Sequence, residues 1–285
     1  MTQLKEIKAR IQSVKSTQKI TSAMKMVSSV KLQKAEKKAL NTVPYKNLLS
    51  EILTNFISSE VADKSIFAHI RDVRKVAIVA FASNTSLCGS YNASIIKRLH
   101  QSVKTHRDVR KENVYVFPIG KKVAHACNTA ELNIYEENEE LASNPSYELA
   151  AKLADLLMEL YLAGEIDRVK IIYFHYESRG KQVVTADTFL PLEISGNTNV
   201  KKSFYIFEPN EQIVTNKLIP LVLRLKIYAT ALEALASEHA ARTIAMQKAT
   251  ENANDMLHEL SVQYNKLRQQ AITNELLDIM GGSFK

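Results

Sequence analysis

The residues with the strongest claim to chemistry lie where an apolar run breaks into a polar loop, Val76 to Leu99, "VAIVAFASNTSLCGSYNASIIKRL". A phosphate-cradling loop needs glycines where backbone amides approach the anion, as in G-x-G-x-x-G or G-x-x-x-x-G-K-[ST]. "SNTSLCGSYN" has one glycine and no lysine, which argues against nucleotide binding. A nucleophilic Cys88 would need a base and an orienting acid. The histidines, His69, His100, His106, His125, His175, His239 and His258, are scattered without a partner motif. A small thiol at a strand-to-helix junction is ordinarily packed. On that reading Ser83 and Asn84 turn the chain, and Gly89 relieves a tight approach at the helix start. Cys88 and Cys127 fit no zinc spacing, and with no apolar leader core they are expected as free thiols in a reducing compartment. No catalytic residue, cofactor or metal is expected.

The elements that position this loop follow from composition. The chain has 285 residues, 46% hydrophobic and 24% charged, a globular balance. Its net charge of +8 is concentrated: the first forty residues hold ten Lys or Arg against Glu6 and Glu36. The longest apolar runs are far shorter than the ~20 residues a bilayer-spanning helix needs. Glycine and proline are absent before Pro44 and again from Leu221 through Met280. Both ends therefore predict long uninterrupted helices. A strict heptad counted from Leu225 runs through Tyr228, Leu232, Leu235, His239, Arg242, Met246, Ala249, Ala253, Met256, Leu260, Gln263, Leu267, Gln270, Asn274 and Leu277. Eleven of these sixteen positions are apolar, which predicts a coiled coil. The N-terminal stripe Leu4, Ile7, Ile11, Val14, then after a skip Ile20, Met24 and Val27, is its natural partner.

Between the helices the pattern changes. "VRKVAIVAF", "NVYVFPIG", "ELNIY" and "VKIIYFHYE" alternate with helical stretches near Ala93 to Thr105, Lys121 to Cys127 and Tyr147 to Ala163. That alternation predicts a mostly parallel α/β sheet of Rossmann-like type. "QVVTADTFLPLEI" and "SFYIFEP" read as strands pairing at an edge. The expected fold class is α/β: an N-terminal coiled-coil helix (1–60), a central α/β domain (61–212) and a C-terminal coiled-coil helix (213–285).

"RIQSVKSTQKITSAMKMVSSVKL" (Arg10 to Leu32) and "LASEHAARTIAMQKATENANDMLHELSVQYNKLRQQAITNELLDIMGG" (Leu235 to Gly282) resemble the terminal signatures of the γ subunit of F-type ATP synthases, bacterial type. The loop around Leu87-Cys88-Gly89 is similar to that family's, and the likeness covers the whole chain in order. The resemblance implies a rotor shaft. The terminal helices would form an antiparallel coiled coil inside a hexamer of α and β subunits. The α/β domain would be a foot on the membrane c ring, with the ε subunit as a further partner. Proton flow would turn the ring, and the shaft would drive ATP synthesis or hydrolysis at β without itself catalysing. The implied location is peripheral, on the cytoplasmic face of a bacterial inner membrane, with no membrane insertion and no nucleic acid.

By motif, the resemblance assigns Arg268 and Gln269 to a β-subunit loop, with Arg268 forming charge-assisted hydrogen bonds to carboxylates. Arg242 occupies a seam position where an isolated charge is costly, and is assigned to β or to a buried acid. Lys8, Lys15, Lys19 and Lys25 would face acidic segments of β. Tyr205 and Glu208, in "FYIFEP", would contact the c ring. The polar seam residues Gln263, Gln270 and Asn274 suggest that the C-terminal helix outruns its partner. His239 stands where the family usually has Gln, a place for a pH-sensitive contact. The family loop commonly reads Thr-Asp-Arg-Gly-Leu-Cys-Gly-Gly; here Asn84, Thr85 and Ser86 replace Asp, Arg and Gly, and Ser90 replaces the second Gly. Two other functions are open to the residues alone: a basic-arm nucleic-acid-binding protein, which lacks aromatic interleaving, and a Cys88-dependent α/β hydrolase.

Overall fold

Freed of glycine, the two ends of the chain form the long helices that their composition predicts. In the computed structural model, which describes residues 2–57, 67, 71–105, 111–192 and 211–282, α1 spans Thr2–Ile57 and α6 spans Glu211–Gly282. Each continues through one proline, Pro44 in α1 and Pro220 in α6. A proline removes one i→i−4 bond and leaves the remaining ladder in place. The helices therefore extend further than the glycine- and proline-free stretches alone indicated.

The intervening chain forms β1 (Val76–Phe81), α2 (Tyr91–Thr105), β2 (Val114–Ile119), α3 (Lys121–Thr129), β3 (Asn133–Ile134), α4 (Glu139–Ser143), α5 (Tyr147–Leu162), β4 (Arg168–Ser178) and β5 (Lys181–Leu190). The strand order is β3-β2-β1-β4-β5. β1 lies parallel to both β2 and β4, with Val76 opposite Val114 on one side and Arg168 on the other. β5 returns antiparallel on β4. The second edge segment, "SFYIFEP", lies outside the described residues.

All six residues of β1 are buried because helices cover both faces of the sheet. Ala77, Val79, Phe81, Phe117 and Ile171 face Leu153, Leu157 and Tyr161 of α5 and Leu223 and Ile227 of α6. The alternate residues Val76, Ile78, Ala80 and Val116 face Ile95 and Leu99 of α2 and Val123 and Cys127 of α3. Helix starts carry side-chain caps: Asn138 Oδ1 accepts from Leu141 N at 3.0 Å, and Ser146 Oγ accepts from Leu149 N at 3.2 Å.

The chain divides into two compact units, Met1–Ser29 with Arg242–Lys285, and Val30–Ala241. The boundaries cut both long helices, because α6 from Ile219 to Ala234 belongs to the core beneath the sheet.

Candidate functional site: the helical pair and the β1–α2 loop

In the unit of residues 1–29 and 242–285, sheltered positions of α1 recur at spacings of three and four, Leu4, Ile7, Ile11, Val14, Gln18, Thr21, Lys25 and Ser28, flanked near the unit boundary by the half-buried Ser22, Met24 and Ser29. On α6, beyond a sheltered stretch from Arg242 to Met246 and the half-buried Ala249, they are Thr250, Ala253, Leu257, Leu260, Tyr264, Leu267 and Ala271. This is coiled-coil spacing on both helices. Two polar bonds fix its direction. Thr21 Oγ1 and Thr250 Oγ1 lie 2.8 Å apart, and Gln18 Nε2 donates to Asn254 Oδ1 at 3.2 Å. Stepping back along α1 while stepping forward along α6 is an antiparallel register. Continued, it brings the start of α1 level with the Leu267 region.

The expected seam needs correction on both helices. Of the expected Ile20, Met24 and Val27 on α1, Met24 is half-buried, but Ile20 and Val27 are 57% and 56% exposed. The seam stays in phase through polar and small residues, which a search for apolar types passes over. On α6, Met256 is 52% exposed and Gln263 and Gln270 are exposed, while Leu257, Tyr264 and Ala271 are sheltered. The count began at Leu225, in a stretch packed against the sheet core. Apolar identity there does not report which face meets α1. Toward the C-terminus of α6, every residue from Ile272 to Met280 is exposed, an overhang beyond the helical pair. Among them Ile272, Leu276, Leu277, Ile279 and Met280 form an apolar tip.

Arg268 and Gln269 are both exposed, just before this overhang. Lys8, Lys15 and Lys19 are exposed at spacings of seven and four, which puts them on one helical face. Lys25 differs: it occupies a seam position and is half-buried. Arg242 is 7% exposed. In the other unit His239 is buried. Tyr205 and Glu208 lie outside the described residues.

The loop after β1 is built by its own polar groups. Asn92, in the first turn of α2, accepts at Oδ1 from Ser83 N (3.1 Å) and Ser83 Oγ (3.0 Å), and its Nδ2 lies 3.2 Å from Cys88 Sγ. Leu87 and Gly89 both adopt positive φ, 68° and 61°. Asn84 reaches outward, donating to Glu139 O and accepting from Lys121 N, each at 2.9 Å, while Lys121 pairs with Glu139 at 3.1 Å. The residue standing in the family's aspartate position thus ties β1's loop to the starts of α3 and α4. Cys88 is 2% exposed, with Ser83 and Asn92 as polar neighbours, neither a general base. Burial pushes the Cys127 thiol up to about 11. Neither thiol has the setting of a nucleophile. Sequence reasoning identified Ser83, Asn84 and Gly89 but missed Asn92; an amide shortly after a strand-end loop is the available signal. Among the described residues, no group of three His, Cys, Asp or Glu is placed to hold a metal ion, and no helix is long and apolar enough to cross a membrane.

Comparison with known proteins covers the entire architecture. A family model described as ATP synthase matches residues 3–284. The chain is 48% identical over 298 aligned residues to an ATP synthase gamma chain of Bacteroides thetaiotaomicron, covering 100% of both. It is 49% identical over 288 residues to one from Bacteroides fragilis, covering 99% of both. In fold it resembles a chain from the Euglena gracilis mitochondrial ATP synthase rotor, with a TM-score of 0.68 and 17% identity over 95% of this chain and 99% of that one.

Proposed function

This chain belongs to the family of ATP synthase gamma chains, the central rotor stalk subunit of F-type ATP synthases, and from that premise we propose how its residues carry rotation. The helical pair is the shaft, turning inside a hexamer of α and β subunits. The α/β unit is the foot, seated on the membrane c ring with the ε subunit beside it. Proton flow turns the ring, and the shaft drives β through its binding states. The chain itself is non-catalytic and peripheral, on the cytoplasmic face of a bacterial inner membrane.

The observation that supports this reading best is the overhang of α6. An exposed run ending in Ile272, Leu276, Leu277, Ile279 and Met280 suits a shaft tip surrounded by a sleeve. Arg268 and Gln269, exposed immediately before it, are free to meet carboxylates of β. Lys8, Lys15 and Lys19 present a basic stripe suited to acidic segments of β. Lys25 and Arg242 are proposed as β contacts at partly and largely sheltered seam positions, while Tyr205 and Glu208 are proposed for the c ring.

Co-expression with α and β subunits from the same source tests the assignment. The expected product is an ATP-hydrolysing complex with this chain in roughly one-to-three ratio to β, the stoichiometry of one shaft in a threefold sleeve. A chain that elutes alone while α and β assemble around another shaft overturns it. Within the complex, Arg268→Ala is expected to lower torque while assembly persists. Unchanged torque removes Arg268 from the contact.

A further inference from the structure

In the unit Val30–Ala241, the end of β4 meets both long helices at one level. The Tyr176 ring packs against a cluster of Leu32 and Ala35 from α1 and Ala236 and Ala240 from α6. Three of those four are alanines, whose methyl groups leave room for an aromatic ring between the helices. The Tyr176 hydroxyl donates to Glu36 Oε1 on α1. Arg179, in the turn after β4, donates to the same carboxylate twice, Nε to Oε1 at 3.0 Å and Nη2 to Oε2 at 2.8 Å. On α6, Ser237 Oγ donates to Phe174 O at 3.1 Å, and Glu233 Oε2 lies 2.6 Å from His175 Nδ1. Consecutive residues of one strand, Phe174, His175 and Tyr176, are thereby bonded to the two helices.

The two helices are held to the sheet differently. α6 supplies Ile219, Val222, Leu223, Ile227, Ala231 and Ala234 to the core beneath the sheet. Among the described residues, α1 adds to these sheet-covering clusters only the partly buried Leu49. Apolar burial opposes separation but has no preferred direction. Hydrogen bonds are directional, and a bidentate guanidinium–carboxylate pair fixes orientation as well as distance. Among the described contacts of α1 in this unit, Leu32, Ala35 and Leu49 supply apolar packing and the Glu36 bonds supply direction.

Resting on the rotor reading above, we infer that the β4 end is the torque joint of the rotor, with Glu36 and Arg179 as positioning residues that lock α1 to the α/β unit. The carboxylate, only 18% exposed, receives two donors from Arg179 and one from Tyr176. Each donor comes from the β4–β5 hairpin, which is continuous with the centre of the sheet through β1. Rotation of the sheet therefore moves Glu36, and with it α1.

The experiment uses the assembled complex carrying Glu36→Gln, Arg179→Met or Arg179→Lys. Rotor stiffness is read from angular fluctuations of a probe on the shaft, and coupling from ATP-driven proton pumping per ATP hydrolysed in vesicles. Arg179 is 62% exposed at its side chain, so its substitution spares the fold. Arg179→Met and Glu36→Gln are expected to raise angular variance roughly twofold and to lower pumping per ATP, because directional bonds are lost and apolar packing remains. Arg179→Lys restores charge without the fork and is expected to recover only part of the stiffness. Wild-type stiffness and coupling in both Arg179→Met and Glu36→Gln overturns the joint while leaving the rotor reading intact. Failure of the unsubstituted chain to assemble with α and β overturns the rotor reading and the joint with it.

Discussion

Thr21 on α1 and Thr250 on α6 share a hydroxyl–hydroxyl hydrogen bond of 2.8 Å, 229 residues apart in sequence. Each hydroxyl also lies within reach of a carbonyl of its own helix, Thr21 of Gln18 O at 3.1 Å and Thr250 of Met246 O at 2.8 Å, and the one that donates across the seam leaves its own carbonyl. The seam therefore carries a polar layer whose members remain satisfied alone. Truncating either hydroxyl should cost about 0.5–1.5 kcal/mol, and the two losses should be less than additive, since the shared bond is lost only once. A double-mutant cycle with Thr21→Val and Thr250→Val, followed by thermal unfolding of the full chain, measures this. Strict additivity would show that the bond contributes nothing.

The seam phase on α6 gives a second expectation. Leu257 is sheltered and Met256 is 52% exposed, although they are adjacent and similar in volume. Leu257→Ala should cost about 1–2 kcal/mol and Met256→Ala under about 0.5 kcal/mol, because only the first removes apolar surface from the interface. Equal costs would restore the heptad counted from Leu225.

That contrast marks how far the sequence could be read. Strand positions were legible because a strand buried on both faces must be apolar throughout, as β1 is. The existence of the helical pair was legible from missing glycine and proline. Its phase was not, since Gln18, Thr21, Lys25 and Ser28 sit in the α1 seam and apolar types do not reveal them. The joint at Glu36 was illegible for another reason. Its members Glu36 and Arg179 are 143 residues apart, and neither belongs to a local pattern. By contrast, Arg268 and Gln269 entered through a motif, and the structure adds their exposure.

Gly120 tests the packing that supports the loop after β1. It adopts φ of +107°, and a Cβ there would lie 2.4 Å from Ala82 O. The clash is with backbone at the end of β1, where Ala82 N also donates to Ile119 O at 2.8 Å, so neither side can move cheaply. Gly120→Ala should cost roughly 3 kcal/mol or more. Soluble yield and thermal midpoint report it, and a near-normal midpoint would mean the β2–α3 turn relaxes freely.

The Glu36 joint carries a definite pH dependence. The Arg179 hydrogen bonds hold the Glu36 carboxyl below its ordinary value of 4.5. Burial, aided by Glu36, pushes the Tyr176 hydroxyl up to about 12. A depressed carboxylate stabilises the fold above its unfolded value, and the contribution disappears as pH falls through the folded value. A raised tyrosine stabilises below its unfolded value and stops as pH rises through about 12. The groups facing the joint are Tyr176 and Arg179, with the Lys181–Glu177 pair on the same hairpin and the His175–Glu233 pair joining that hairpin to α6. The stability difference between wild type and Glu36→Gln should thus stay flat from roughly pH 6 to 9 and shrink below the ordinary carboxylate range. Thermal unfolding of both proteins across pH checks it; a difference that grows in acid would reverse the assignment.

The overhang of α6 separates stability from coupling. From Ile272 to Met280 every residue is exposed, and the register set by Thr21–Thr250 and Gln18–Asn254 places Leu4 of α1 level with the Leu267 region, short of them. A helix end without a tertiary partner contributes little to global unfolding, since most helical stability comes from packing of a face. Ending the chain after Ala271 should therefore leave the thermal midpoint of the isolated protein unchanged. The apolar side chains Ile272, Leu276, Leu277, Ile279 and Met280 would then matter only where a surrounding sleeve covers them. In the assembled complex the truncation should lower torque or assembly yield. If the midpoint of the isolated chain falls instead by several degrees, the tip packs within the chain and is not a bearing surface.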